Sequence, residues 1–245
     1  MKNKILIIIM TVIMAVSCSG TANAEVIVYK KYKDFKYVRE GDDQIGIYYY
    51  NGKKSKAVVP AKIKGVKVDT VNLIRAKGLK RIRLSRYVKY TYLAKVRSLK
   101  KVTVDPRNKH LSVKNNMVLN KKKTKLISVL GGYDVIRIPE TVRIMEVASF
   151  SKSNIKKVII TKNVKRIESP FNDCKKLETV VFEGNTIPKI REESFGHSEH
   201  INFYVKTDKL AKKLLRKLRG KQNIVAHIYV GDKLIYEEQL HWDIW

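Results

Sequence analysis

The apolar residues of this 245-residue chain keep a beat of 22 positions. Ile136 and Ile138 are answered by Val158 and Ile160, then by Val180 and Phe182. The order inside each unit repeats as well: Val142, Val164 and Ile187; Met145, Ile167 and Ile190; Phe150, Phe171 and Phe195; Ile155, Leu177 and Ile201. In an extended segment alternate residues fall on one face. A unit of two short segments joined by turns cannot bury that face alone, whereas stacked copies bury it continuously. The period therefore predicts a mostly-β repeat solenoid.

Fainter copies lie upstream. Residues 79–84 (Leu-Lys-Arg-Ile-Arg-Leu) and 99–104 (Leu-Lys-Lys-Val-Thr-Val) are 20 positions apart, and Val58-Val59-Pro60 opens an earlier unit. Residues 57–205 are thus read as about 5–6 repeats of roughly 20–24 residues. Asp105 to Val129 forms an irregular insertion with a hairpin turn around Lys121-Lys122-Lys123. A solenoid needs covered ends. Residues 25–56 read as an N-terminal β cap, with Val26, Val28, Ile45, Ile47 and Tyr49 flanking Gly41-Asp42-Asp43. Residues 206–245 read as a C-terminal cap. Asp208 is the expected N-cap of a helix over 209–219, Leu210, Ala211, Leu214, Leu215 and Leu218 forming its apolar face. A closing hairpin comes next, around Gly231-Asp232. The same helix has the basic amphipathic pattern of a membrane-surface segment, a second reading beside the cap. The terminal His-Trp-Asp-Ile-Trp reads as an apolar plug or an exposed anchor.

Ile138-Pro139-Glu140-Thr141-Val142, Ala148-Ser149-Phe150, the Phe171, Cys174, Leu177 and Val180 spacing, and Asp105-Pro106-Arg107-Asn108 resemble bacterial BspA-type leucine-rich repeats. The resemblance is strongest from 136 to 205. It implies a right-handed leucine-rich-repeat solenoid with a concave parallel sheet and short strands, not long helices, on the convex side. It also implies an exported or surface protein engaged in adhesion or binding. The unit holding Tyr87, Tyr90 and Tyr92 departs from the pattern, having lost the Pro and the Ala-Phe pair.

Residues 1–24 carry Lys2 and Lys4, the 12-residue apolar run 5–16 and Ala22-Asn23-Ala24, the build of a cleaved export signal. Ala15-Val16-Ser17-Cys18 supports an alternative, a lipoprotein signal over 1–17 with a lipid anchor on Cys18. Both readings place the chain outside the cytoplasm: secreted, periplasmic or on the cell surface. With two cysteines, Cys18 and Cys174, a disulfide framework is excluded. The formal charge of +30 falls only to +28 when the signal is removed, so it belongs to the repeats and caps. Such an excess seeks anionic partners.

Enzyme motifs are scarce: there is no phosphate loop, nucleophile elbow or Cys-x-x-Cys pair. His197-Ser-Glu-His200 offers at most two ligands where zinc needs three, and Cys174 occupies a small, packed ladder position. The chain is read as a non-enzymatic binding protein requiring no cofactor. Outward positions of the expected concave strands give the candidate contact Arg81, Arg83, Lys101, Arg137 and Lys157, thinning to Ile159, Thr179 and Val181 toward the C-terminus. Lys89, Arg143, Lys165, Arg166 and Lys189 form a second stripe. Tyr29, Tyr32, Phe35 and Tyr37 interleave with lysines in a mix suited to stacking on sugars or bases. The expected partners are anionic polysaccharides, envelope polymers or acidic proteins; export disfavours nucleic acid, and the membrane enters through Cys18. The alternative is protein–protein adhesion through Ile159 and Val181, with charge serving only to steer. Oligomeric state is not legible in the sequence.

Overall fold

The 22-residue beat becomes a ladder of parallel strands. A computed structural model describes residues 27–130, 132–195 and 198–241. Both leader readings, Cys18, His197 and the terminal Trp-Asp-Ile-Trp lie outside the described residues. The N-terminal segment holds β1 (Lys30–Tyr32), β2 (Phe35–Arg39) and β3 (Gln44–Tyr50). Next come β4 (Lys56–Val58), β5 (Lys62–Ile63), β6 (Val66–Arg75), β7 (Arg81–Leu84), β8 (Tyr90–Tyr92) and β9 (Lys101–Val104). The irregular stretch supplies β10 (Leu111–Lys114), β11 (Met117–Asn120) and β12 (Lys125–Ser128). The regular repeats give β13 (Val135–Arg137), β14 (Ile144–Met145), β15 (Lys157–Ile160), β16 (Arg166–Ile167), β17 (Thr179–Phe182), β18 (Lys189–Ile190) and β19 (His200–Val205). The chain closes with α1 (Asp208–Leu218), β20 (Ile224–Val230) and β21 (Lys233–Leu240).

Two faces of the coil emerge from the pairing. One carries the parallel sets β4–β7–β9 and β13–β15–β17–β19–β20, the second set ending on antiparallel β21. The other carries β3–β6–β8 and β12–β14–β16–β18, again parallel within each set. The coil makes about eight turns. That exceeds the number of repeats counted from strict apolar phase. The first turn, through β4, and the last, through β20, keep the strand but depart from the pattern beyond it.

Register explains the core. Ile136, Val158, Val180 and Phe203 stand opposite one another on successive strands, each 7% exposed or less. Phe150, Phe171 and Phe195 are fully buried and pack ring against ring at centroid separations of 4.8 Å, tilted, and 5.5 Å, stacked. The residue two before each phenylalanine (Ala148, Ser169, Glu193) has φ near +50°. The left-handed residue bends the chain so that the ring points inward. The Ala148 and Phe150 amides donate to Ser169 and Pro170 of the next turn. In the third unit the Glu193 amide again finds a carbonyl, that of Lys221, but a side chain serves the phenylalanine: Gln222, wholly buried, accepts from the Phe195 amide and donates to the Arg191 carbonyl. A glutamine side chain thus stands in for a backbone carbonyl, a role that periodicity does not announce.

The insertion is a partition. β11 is buried on both faces: Met117 and Leu119 join the C-terminal core, and Val118 joins a separate N-terminal core. Leu126 and Val129 again belong to the first, Leu130 to the second. Asn108, 1% exposed, sets the entry to this wall with all four hydrogen bonds of its side-chain amide made. It donates to Ser85 and Val88 and accepts from His110 and Leu111.

The caps differ from the sequence reading in detail. The hairpin around residues 41–43 forms between β2 and β3, whereas Val28 lies outside the strands and is exposed. Thr207, not Asp208, caps α1, its hydroxyl accepting from the Leu210 amide. Asp208 occupies the first turn, where its charge suits the helix dipole. All five apolar residues of α1 are buried against the last turns. That occupies the face a membrane-lying helix would need. Replacing Phe171 by Ala should remove about 3–5 kcal/mol of stability, read as a lower urea midpoint with little change in slope.

Candidate functional site

Alternation in β4, β7 and β9 sends Ala57, Ile82, Leu84 and Val102 inward and leaves Lys56, Arg81, Arg83, Lys101 and Thr103 exposed. Parallel register places Lys56 opposite Arg81 and Arg81 opposite Lys101. Three cations thus stand in one row at strand spacing, about 4.8 Å. Like charges directly opposite across strands repel. Among the described residues none of the three takes part in an ion pair. Arg83 lies in the next row, opposite Val58 and Thr103, 3.6 Å from Asp105. The hydrogen bonds of Arg107 hold the Asp105 carboxyl down at about 2, Arg83 adding a smaller share. Asp105 is therefore already claimed and leaves the row uncompensated.

Arg137 and Lys157 lie elsewhere. They sit on the sheet that runs from β13 through β15 to β21, which is not hydrogen-bonded to the three-stranded one. Arg137 is exposed, but its guanidinium bonds Glu183 two strands away and Glu140 at 2.9 Å. Its charge is compensated locally. Lys157 is half-buried in the row Val135, Lys157, Thr179, Asn202, His227. Of the five basic candidates, then, Arg81, Arg83 and Lys101 are brought together, and Arg137 and Lys157 are not.

Ile159 and Val181, also half-buried, are neighbours in the row Arg137, Ile159, Val181, Tyr204, Tyr229. The Tyr204 and Tyr229 rings stack at 5.0 Å. The sequence reading missed both tyrosines and Lys56, although all three continue the repeat spacing from residues it did single out. Phe35 and Tyr37 prove to be core residues, 6% and 5% exposed. Those two rings are not available for stacking on a ligand, a correction whose cause is the inward face of β2.

Cys174 is buried beneath Phe150, its thiol donating to the Phe150 carbonyl at 3.1 Å. Burial pushes its pKa up to about 11. His200 stacks on His227 at 6.1 Å, and among the described residues no cluster of three metal-ligating side chains occurs. In the N-terminal cap Glu40 lies over Gly46 and accepts from the Tyr48 hydroxyl. Burial raises its pKa above the ordinary carboxylate value, the Asp69 charge adding to the rise. On the second stripe Lys89, Arg143, Lys165, Arg166 and Lys189 are all exposed, and Arg166 is paired with Glu168 at 2.9 Å.

Residues 132–214 match the model of the BspA type leucine rich repeat region in six copies, so this stretch is built of BspA-type repeats. Several solved structures are similar. A leucine rich cell surface protein from Faecalibacterium prausnitzii shares 12% identity, covering 82% of this chain and 73% of that one at a TM-score of 0.35. A leucine-rich repeat protein from Eubacterium ventriosum shares 15%, covering 73% and 78% at 0.31. The Treponema pallidum leucine rich repeat protein shares 17%, covering 80% and 95% at 0.33. No curated protein matches the chain.

On a chain starting at Glu25, Cys174 should resist a soluble maleimide in native buffer and react fully in denaturant, because a buried thiol is neither ionised nor reachable. Fast native labelling would contradict its placement. Glu40→Gln tests the raised carboxyl. A folded-state pKa above the unfolded one makes the folded state hold its proton longer, so stability is lost as pH rises through the window above the ordinary value. The wild-type urea midpoint should fall relative to Glu40→Gln as pH rises above the ordinary carboxylate value.

Proposed function

We propose that this chain is an exported, non-enzymatic binding protein whose basic sheet face takes anionic glycans, envelope polymers or acidic proteins. The observation that carries the reading is the row Lys56, Arg81 and Lys101, exposed, evenly spaced and without ion-pair partners among the described residues. A regular row of cations at strand spacing fits a polymer with regular negative charge. It does not fit a small ligand, because the face is an outward sheet surface. Export, read from residues 1–24, and the BspA-type repeat support a place at the cell surface. Arg83 extends the contact on the same sheet; Arg137, compensated by Glu183 and Glu140, contributes little.

A second reading draws on the row Ile159, Val181, Tyr204 and Tyr229. Half-exposed apolar and aromatic residues side by side are the composition of a protein-binding surface. On this reading the cations steer the encounter and the row makes the contact. Ile159→Asp with Val181→Asp should then abolish adhesion and spare polyanion binding.

The first reading predicts that affinity for a sulfated glycan falls by at least about tenfold between roughly 50 mM and 500 mM salt, as counterions compete for the same charges. The triple change of Lys56, Arg81 and Lys101 to Glu should abolish binding while leaving the far-UV circular dichroism intact. Binding unchanged by salt or by the triple variant would overturn it.

A further inference from the structure

The coil's sheet is interrupted beside the basic row. β9 is the last strand of its three-stranded sheet, and β10 is the first of the sheet running through β11 and β12. Both strands therefore present an unpaired edge. Between them lies a groove of about 510 Å³. Its lining is the consecutive run from Lys101 to Pro106 on one side and Leu111 to Val113 on the other. A pocket lined by every residue of a strand, not every second one, runs along the strand's edge and not across its face. The amides of Lys101 and Asp105 bond Lys80 and Leu84 on the β7 side. Alternation therefore turns the backbone groups of Val102 and Val104 toward the groove.

We propose that this groove is a strand-addition site for an extended acidic peptide segment of a partner protein. The free edge of β9 supplies main-chain hydrogen bonds, the mode by which an added strand gains affinity. The charge around the slot selects the partner: Lys101 and Lys121 line it and Lys114 ends β10. Asp105, the acid in the lining, is neutralised by Arg107 and Arg83. Both walls are fixed without a ligand. Asn108 fixes the intervening turn by its four hydrogen bonds, and the β10–β11 turn takes left-handed backbone at Asn115 and Asn116. An acidic strand entering here would pair with β9 and lay its outward side chains beside Lys101, with Arg81 one strand further on. Of the partners named above, this singles out the acidic protein, and it rests on the reading of that face as an anion-binding surface.

The test uses the chain from Glu25 and a fluorescein-labelled octapeptide alternating Glu with Thr or Val. A second peptide has the same sequence with alternate amides N-methylated, which keeps the charge and removes the donors. The unmodified peptide should bind roughly tenfold or more tightly than the methylated one, the loss expected for two or three backbone hydrogen bonds. It should also slow hydrogen exchange at the Val102 and Val104 amides, and Lys101→Glu should weaken it. Equal binding of the two peptides, both weakened by Lys101→Glu, would overturn strand addition and leave the basic face standing. A sulfated glycan that binds where neither peptide does would have the same meaning. Failure of glycan and peptides alike would remove both readings.

Discussion

Each turn of this chain satisfies its backbone on the next, and the rest of the structure depends on that constraint. A turn alone holds a few apolar side chains and a set of unpaired amides and carbonyls, too little to stand in water. Stacking mends both defects together: Val158 covers Ile136 while the backbone of β15 bonds that of β13. The two ends are then special by necessity. At the C-terminus Gln222 imitates a carbonyl, α1 covers the last apolar layer and β21 reverses direction. At the N-terminus β1, β2 and β3 form an antiparallel sheet before the parallel ladder begins.

Once one side of every strand is committed to the core, the other is free to carry chemistry, and its spacing is inherited. That is why Lys56, Arg81 and Lys101 form a row and why Ile159, Val181, Tyr204 and Tyr229 form another. The charge of +30 is therefore organised, not merely abundant. Where acids intrude they do so with partners: Glu183 reaches Arg137 from two strands away, and Asp105 sits between Arg83 and Arg107. The uncompensated cations that remain define the basic face.

The strand ladder was legible because Ile136, Val158 and Val180 lie in phase along the chain, and phase in the chain is adjacency in the coil. Outwardness was legible for the same reason, which is why Arg81, Arg83 and Lys101 fall where alternation puts them. Pairing between side chains was not. Arg137 and Glu183 are 46 residues apart, and no local pattern says that their side chains meet. Phe35 and Tyr37 have the pattern of ligand-stacking rings because aromatic and basic residues alternate there. Alternation alone does not say which of the two sets faces the core. Thr207 and Asp208 are both good caps, and only the backbone conformation at Thr207 separates them.

The wall built by β11 gives the molecule two interiors. Met117 and Leu119 look one way and Val118 the other, so contacts on one side need not break when those on the other do. The coil is in that sense two springs joined at a shared wall. A pull between its ends, as on a tethered molecule in flow, would load the halves in series, and the softer one would give first. The basic row lies on the N-terminal half, across that wall from the C-terminal core.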